Sequence, residues 1–149
     1  MVSLEAFRDL YDYNYWARDR QLEACANLSE VQLLHPVGNS NSSLRDTLAH
    51  LLAAEWVWHE HFRGRSPRAI LSSLQGLRSV SAIREPWGSV EADIRSYLST
   101  LNSEALSRDF SPPTCMGGPI SGFRQSRANF TPLAIIRLTN KAICASLTP

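Results

Sequence analysis

Four histidines, His35, His50, His59 and His61, and three cysteines, Cys25, Cys115 and Cys144, carry most of the metal-binding and nucleophilic potential of this chain. His50 stands out because it sits in an otherwise apolar helical pattern, SSLRDTLAHLLAAEWVWHEHFRG, residues 42–64. From the pattern alone it reads as a helix histidine with an ordinary hydrogen bond; to act as a metal ligand it would need company, since a catalytic metal site needs about three protein ligands and an open position. Asp46, one turn before His50, can reach the same ion, although the S-x-x-D spacing from Ser43 also gives it a helix-capping task. His59 and His61 are two residues apart and point to opposite sides of a helix. His61 shares a stripe with His50, yet eleven residues of helix separate them by about 16 Å along the axis. No histidine follows His61. The cysteines are odd in number and lack CxxC spacing, so they read as buried or incidental thiols rather than a disulfide framework or a zinc knuckle.

Two polar residues, Asn14 and Glu55, fall inside apolar stripes. Burial without partners is costly, so they either pair across helices or line a cavity, which makes both pocket candidates. Trp58 is a third. It lies in the core stripe of its helix, where packing is the simpler reading than cofactor stacking. The basic run HFRGRSPR reads as a solvated loop, and the pair Gly117 and Gly118 is far from any phosphate-loop pattern.

The elements that must position these groups are helical. Leu4, Phe7, Leu10, Tyr11, Asn14, Ala17, Leu22 and Cys25 recur at mostly helical spacing behind Ser3, predicting a helix over 4–28. A short turn capped by Ser29 follows, then a loop through Pro36 and Gly38. From Ser43, Leu44, Leu48, Leu51, Glu55, Trp58 and Phe62 predict a second long helix, ended by Gly64 and Pro67. Residues 65–86 read as a long connection with at most one helical turn. Trp87, Val90, Ile94, Tyr97, Leu101 and Leu106 then mark a third long helix. The Pro- and Gly-rich stretch 111–123 reads as irregular. Thr131 and Pro132 open a fourth helical segment whose apolar residues fall on all sides. Three amphipathic helices and this less regular fourth outline an all-α four-helix bundle with long crossover loops, a single domain over 1–149.

Composition narrows the function classes. The chain is 149 residues long, 44% hydrophobic and of net charge +1, which suits one compact domain. Its arginines are interleaved with acids rather than gathered in a stripe, so nucleic acid is not an expected partner. No stretch reaches the roughly 20 apolar residues of a membrane span, and the first twenty residues are charged where a signal peptide is greasy. A cytoplasmic protein without a membrane partner is expected. The average hides a break, however: all acidic residues lie between Glu5 and Asp109, whereas 110–149 hold Arg124, Arg127, Arg137 and the only lysine, Lys141.

Three segments, YDYNYWARDRQLEACANLS, SLRDTLAHLLAAEWVWHEHFRG and PWGSVEADIRSYLSTL, together resemble the DinB-like, damage-inducible family of metal-binding four-helix bundles. The resemblance covers most of residues 8–108. It implies a divalent metal, nickel or zinc, held by three histidines: one on the second helix, matched here by His50, and two from an H-x-x-x-H pair on the last helix. It further implies a metal-dependent enzyme, of the transferase or hydrolase type, acting on a thiol or another small molecule. A metal so held would lower the pKa of bound water or of a thiol. This chain departs from the pattern because the last pair is absent, leaving the implied metal site incomplete. The tail is read as divergent or as translated from a shifted frame after about Asp109. Two other functions are therefore carried forward, a non-catalytic helical module that binds or forms a homodimer, and an inactive product of a frameshifted gene.

Overall fold

The computed structural model describes residues 3–37, 43–65, 74, 76–107, 109–110 and 125–126. Five helices dominate these residues: α1 (Leu4–Cys25), α2 (Glu30–Leu34), α3 (Leu44–Phe62), α4 (Val80–Thr100) and α5 (Ser103–Ser107). The strand pairing among them is a two-residue antiparallel ladder of β1 (Asp109–Phe110) with β2 (Gln125–Ser126), together with an isolated bridge between Pro36 and Ser43. The fold is all-α. The fourth helical segment expected over 131–147 lies outside the described residues. No described helix is long and apolar enough to cross a membrane.

Each long helix begins on a serine whose hydroxyl accepts a backbone N–H of the first turn: Ser3 from Ala6 at 3.0 Å, Ser43 from Asp46 at 3.1 Å and Ser79 from Ala82 at 3.1 Å. In α2 the cap is reciprocal, with Gln32 Oε1 accepting from the Ser29 backbone N–H at 2.9 Å. Gly64 ends α3. Its φ of 74° is a left-handed conformation that glycine adopts without a Cβ clash, and it lets the Arg65 N–H reach back to the Glu60 carbonyl at 2.9 Å.

Three boundaries differ from those predicted. Helix α1 stops at Cys25 rather than 28. Helix α4 starts at Val80, seven residues before Trp87, and runs through Pro86. Proline in a helix interior removes one backbone hydrogen bond, but burial of Val80 and Ile83 on the same face outweighs that loss. The helix then ends at Thr100, because Leu101 turns extended at ψ 143°, and Leu106 belongs to the separate α5.

Helix α4 is the centre of the assembly and packs against both α1 and α3, while α2 covers α3. Leu22, Leu33, Leu48, Leu52 and Ile83 are almost free of solvent, with Trp87 and Ile94 close behind. Cys25 is a buried free thiol, and burial pushes its pKa up. This apolar interior, built from three long helices, fixes which faces of α1, α3 and α4 present polar groups inward.

Candidate functional site

His50 is on the exposed face of α3. On this face the neighbouring positions one and two turns on are Ala54 and Val57, and Ala53 lies beside them; none offers a ligand atom. Asp46, one turn back, accepts the Ser43 hydroxyl at 2.7 Å and pairs with Arg45 at 3.1 Å. Among the described residues no three His, Cys, Asp or Glu side chains come together in a way that could hold a metal ion. The described residues therefore do not form the three-ligand centre that the sequence resemblance implies.

The polar interior of the molecule is elsewhere. Glu55, 1% exposed, sits on the opposite flank of α3 and accepts the Trp87 indole N–H of α4 at 2.8 Å. Its second oxygen, Oε1, and the Tyr15 hydroxyl of α1 are buried without a hydrogen bond of ordinary geometry, yet the two side chains are close enough for Tyr15 to stabilise the Glu55 carboxylate as a hydrogen-bonding neighbour. Burial raises the Glu55 pKa above the ordinary carboxyl value, against the opposing pull of Trp87, Tyr15 and Arg18. Arg18 is itself buried. Its Nη2 donates to Glu91 of α4 at 2.6 Å and to Asp19 at 2.9 Å, while its guanidinium carbon lies 4.9 Å from the Tyr15 ring centre and 5.8 Å from that of Trp87. Burial opposes the Arg18 charge, and the bonds to Glu91 and Asp19 outweigh it. Arg95 lies 4.9 Å from the same Tyr15 ring and joins Glu91 to Asp12. The cluster thus links α1, α3 and α4 through charge and aromatic faces.

One turn beyond Glu55, His59 is the second buried titratable group on this face of α3. Its ring meets Tyr97 edge-on at 5.7 Å, its Nε2 is buried without a hydrogen bond, and burial together with Arg63 lowers its pKa. His59 lines a small cleft with Phe7, Tyr11, Phe62, Tyr97 and Leu101. Tyr97 donates to the Phe62 carbonyl at 3.3 Å across one side of it.

Of the residues singled out from sequence, Glu55 and Asn14 are both buried, and the donor that Glu55 finds is Trp87. Trp58 is half-buried, with its ring 5.8 Å from His61 and 6.4 Å from Phe62, so it packs at the end of α3. His61 is buried, and its Nδ1 lies 3.3 Å from the Arg65 carbonyl. His35 is exposed at the end of α2, and Glu60 is held by a two-point contact from Arg65. Sequence reasoning missed Tyr15, Arg18 and Glu91, and it weighed His59 only as a metal ligand and Trp87 only as a helix marker. A signal for Arg18 was present, because Tyr11, Tyr15, Arg18, Leu22 and Cys25 follow one another at steps of four and three, a buried stripe with a charge in it. The apolar stripe read from sequence runs through Ala17 instead, which is only half-buried.

The DinB family model matches residues 1–122. No curated protein matches the chain. The matched region contains His50 and the whole Glu55 cluster, and it ends before the segment 131–147.

Proposed function

The chain belongs to the DinB family, and from that premise we propose that it is a helical binding module that keeps the family's helical framework and the His50 position without a complete metal centre. The observation that carries this reading is the isolation of His50 among the described residues: an exposed imidazole with Ala53, Ala54 and Val57 around it, in a chain with no histidine beyond His61. A single imidazole holds a divalent cation weakly, since tight sites close three or four ligands around the ion. The partner surface is a second copy of the chain. Tyr13 and Trp16 support that choice, because they stack at 5.7 Å on the outer face of α1 and are 48% and 56% exposed.

The test is metal analysis of the protein purified without chelator, paired with calorimetric titration of nickel and zinc. Less than about 0.1 metal per chain and no binding tighter than about 10 µM are expected, with no change on His50→Ala. One metal per chain, lost on His50→Ala, would replace this reading with the family's metal-dependent one, acting on a thiol or other small molecule. Sedimentation of the native protein beside Trp16→Ala tests the homodimer, which the substitution is expected to weaken.

A second reading is favoured by the change in composition after Asp109, where acidic residues stop and the only lysine occurs. It makes the tail the product of a shifted frame and the chain an inactive relative. Translating the other two frames over the last forty codons decides it: the reading stands if one of them yields an H-x-x-x-H helix.

A further inference from the structure

Helix α1 turns one stripe into the core, through Phe7, Tyr11, Tyr15, Arg18, Leu22 and Cys25. Its opposite side carries a second stripe, Asp9, Tyr13, Trp16 and Arg20, all exposed and all within about 60° of one another around the axis. The two aromatic rings at its centre are 48% and 56% exposed and stack at 5.7 Å, so a continuous apolar patch faces outward. The Arg20 guanidinium lies 5.8 Å from the Trp16 ring centre. Its contact with Glu23, at 3.4 Å between side chains 67% and 62% exposed, is weak and leaves it open to another acid. The steps along the stripe are four, three and four residues, the spacing of a seam between two paired helices. That spacing reads the same from either end, and its two ends carry opposite charges.

We propose that this stripe joins two copies of the chain, with α1 lying antiparallel to the same helix of the partner and Asp9 of each copy paired with Arg20 of the other. The inference rests on the reading of the chain as a module that pairs with itself, and it supplies the geometry. A closed dimer needs a surface that complements itself about a two-fold axis. In an antiparallel seam centred between Tyr13 and Trp16, each of these rings falls opposite the other, and Asp9 falls opposite Arg20 at both ends. A parallel seam sets acid beside acid and guanidinium beside guanidinium, so charge selects the antiparallel one. On one flank Ala6, Ala17 and Ala24 are small enough for a close approach of the two backbones. On the other, Glu5 and Glu23 add acidic charge that Arg20 offsets.

The test is sedimentation of the full chain beside its charge-reversed variants. The native protein is expected to be a dimer whose Kd rises about tenfold in Asp9→Arg or in Arg20→Asp alone, and returns to within about threefold of native in the double variant. Both positions are exposed, so each variant is expected to keep the native helical dichroism. Oxidation of a mixture of Asp9→Cys and Arg20→Cys chains is expected to yield a disulfide-linked peptide joining positions 9 and 20. Asp9→Cys alone is expected to yield no link between its two copies of position 9, which stand about 16 Å apart along the seam. A native chain that stays monomeric at about 100 µM overturns both self-pairing and this geometry, and is the outcome if another part of the same chain covers the stripe. A dimer that survives either single reversal unchanged, that the double variant fails to restore, or that links position 9 to position 9 overturns the geometry alone.

Discussion

At the scale of single residues, Glu55 and His59 are the groups whose surroundings alter their chemistry most clearly. Burial raises the Glu55 pKa above the value of about 4.3 that an unfolded chain gives it. The folded state then retains a proton that the unfolded state has released, so this contribution to stability is fully present below the unfolded value. It is lost as pH rises toward the folded one, at about 1.4 kcal/mol per pH unit in between. Glu55→Gln removes the titration and keeps an oxygen for the Trp87 N–H. The stability of the variant relative to the native protein should therefore increase between pH 4 and pH 7 in urea unfolding; a difference that stays flat would contradict the assignment. His59 has the opposite sign. Its pKa is lowered, so its contribution is present above the unfolded value of about 6.5 and lost as pH falls toward the folded one. Nitrogen-15 spectra should show His59 titrating below 6.5, and a midpoint above that value would mean that the ring is not buried as described.

At the scale of elements, the contact between α1 and α4 depends on Arg18 and Glu91. Asp19 also binds Arg18, but it is 46% exposed on its own helix, whereas Glu91 is 21% exposed and comes from the facing one. Removing Glu91 leaves a buried guanidinium with one fewer partner, so Glu91→Ala is expected to cost about 2 kcal/mol, the usual penalty for breaking a buried pair being reduced by the exposure of Glu91. Asp19→Ala should cost less than about 1 kcal/mol. Equal costs in chemical denaturation would remove the distinction. Helix α4 has a correctable weakness of its own at Gly88, where a Cβ would meet nothing within 4 Å. Gly88→Ala is expected to stabilise by about 0.5–1 kcal/mol, read as a rise in the urea midpoint. The same helix shows where local sequence signals failed. The sequence pattern places its start at Trp87, and burial of Val80 and Ile83 carries it back to Val80, whereas Ser3 and Ser43 act as caps by chemistry that is local to the chain and evident in the sequence. The start of α1 and both ends of α3 were legible for that reason. The start of α4 was not, because the contacts that sustain it come from residues distant in sequence.

At the scale of the whole molecule, all-α architecture and family membership were legible in the spacing of apolar residues and in the segments around His50 and Trp87. The polar interior was only half legible. Asn14 and Glu55 disclosed themselves as polar residues in apolar stripes, but the partner of Glu55 is an indole 32 positions away, and no periodicity along one helix reveals which side chain faces it on another. The orphaned nitrogen of His59 was equally hidden, since its isolation depends on what Tyr97 and Phe7 leave unfilled. If the three-helix cluster organises the molecule as a unit, probes placed far apart should report one event. Near-ultraviolet dichroism of the buried Trp87 and Tyr15 and far-ultraviolet dichroism of the helices are expected to give the same thermal midpoint. Separate midpoints would show that the cluster melts independently of the helices around it.

Helix α3 has a property that bears on how such a chain changes over generations. His50 and His59 are nine residues apart, and at about 100° per residue they face directions about 180° apart, one toward solvent and the other into the cleft. A substitution that erases a task on the outer face need not disturb the packing that shapes the inner one. The two faces are open to separate histories: drift can dismantle one while purifying selection holds the other in place.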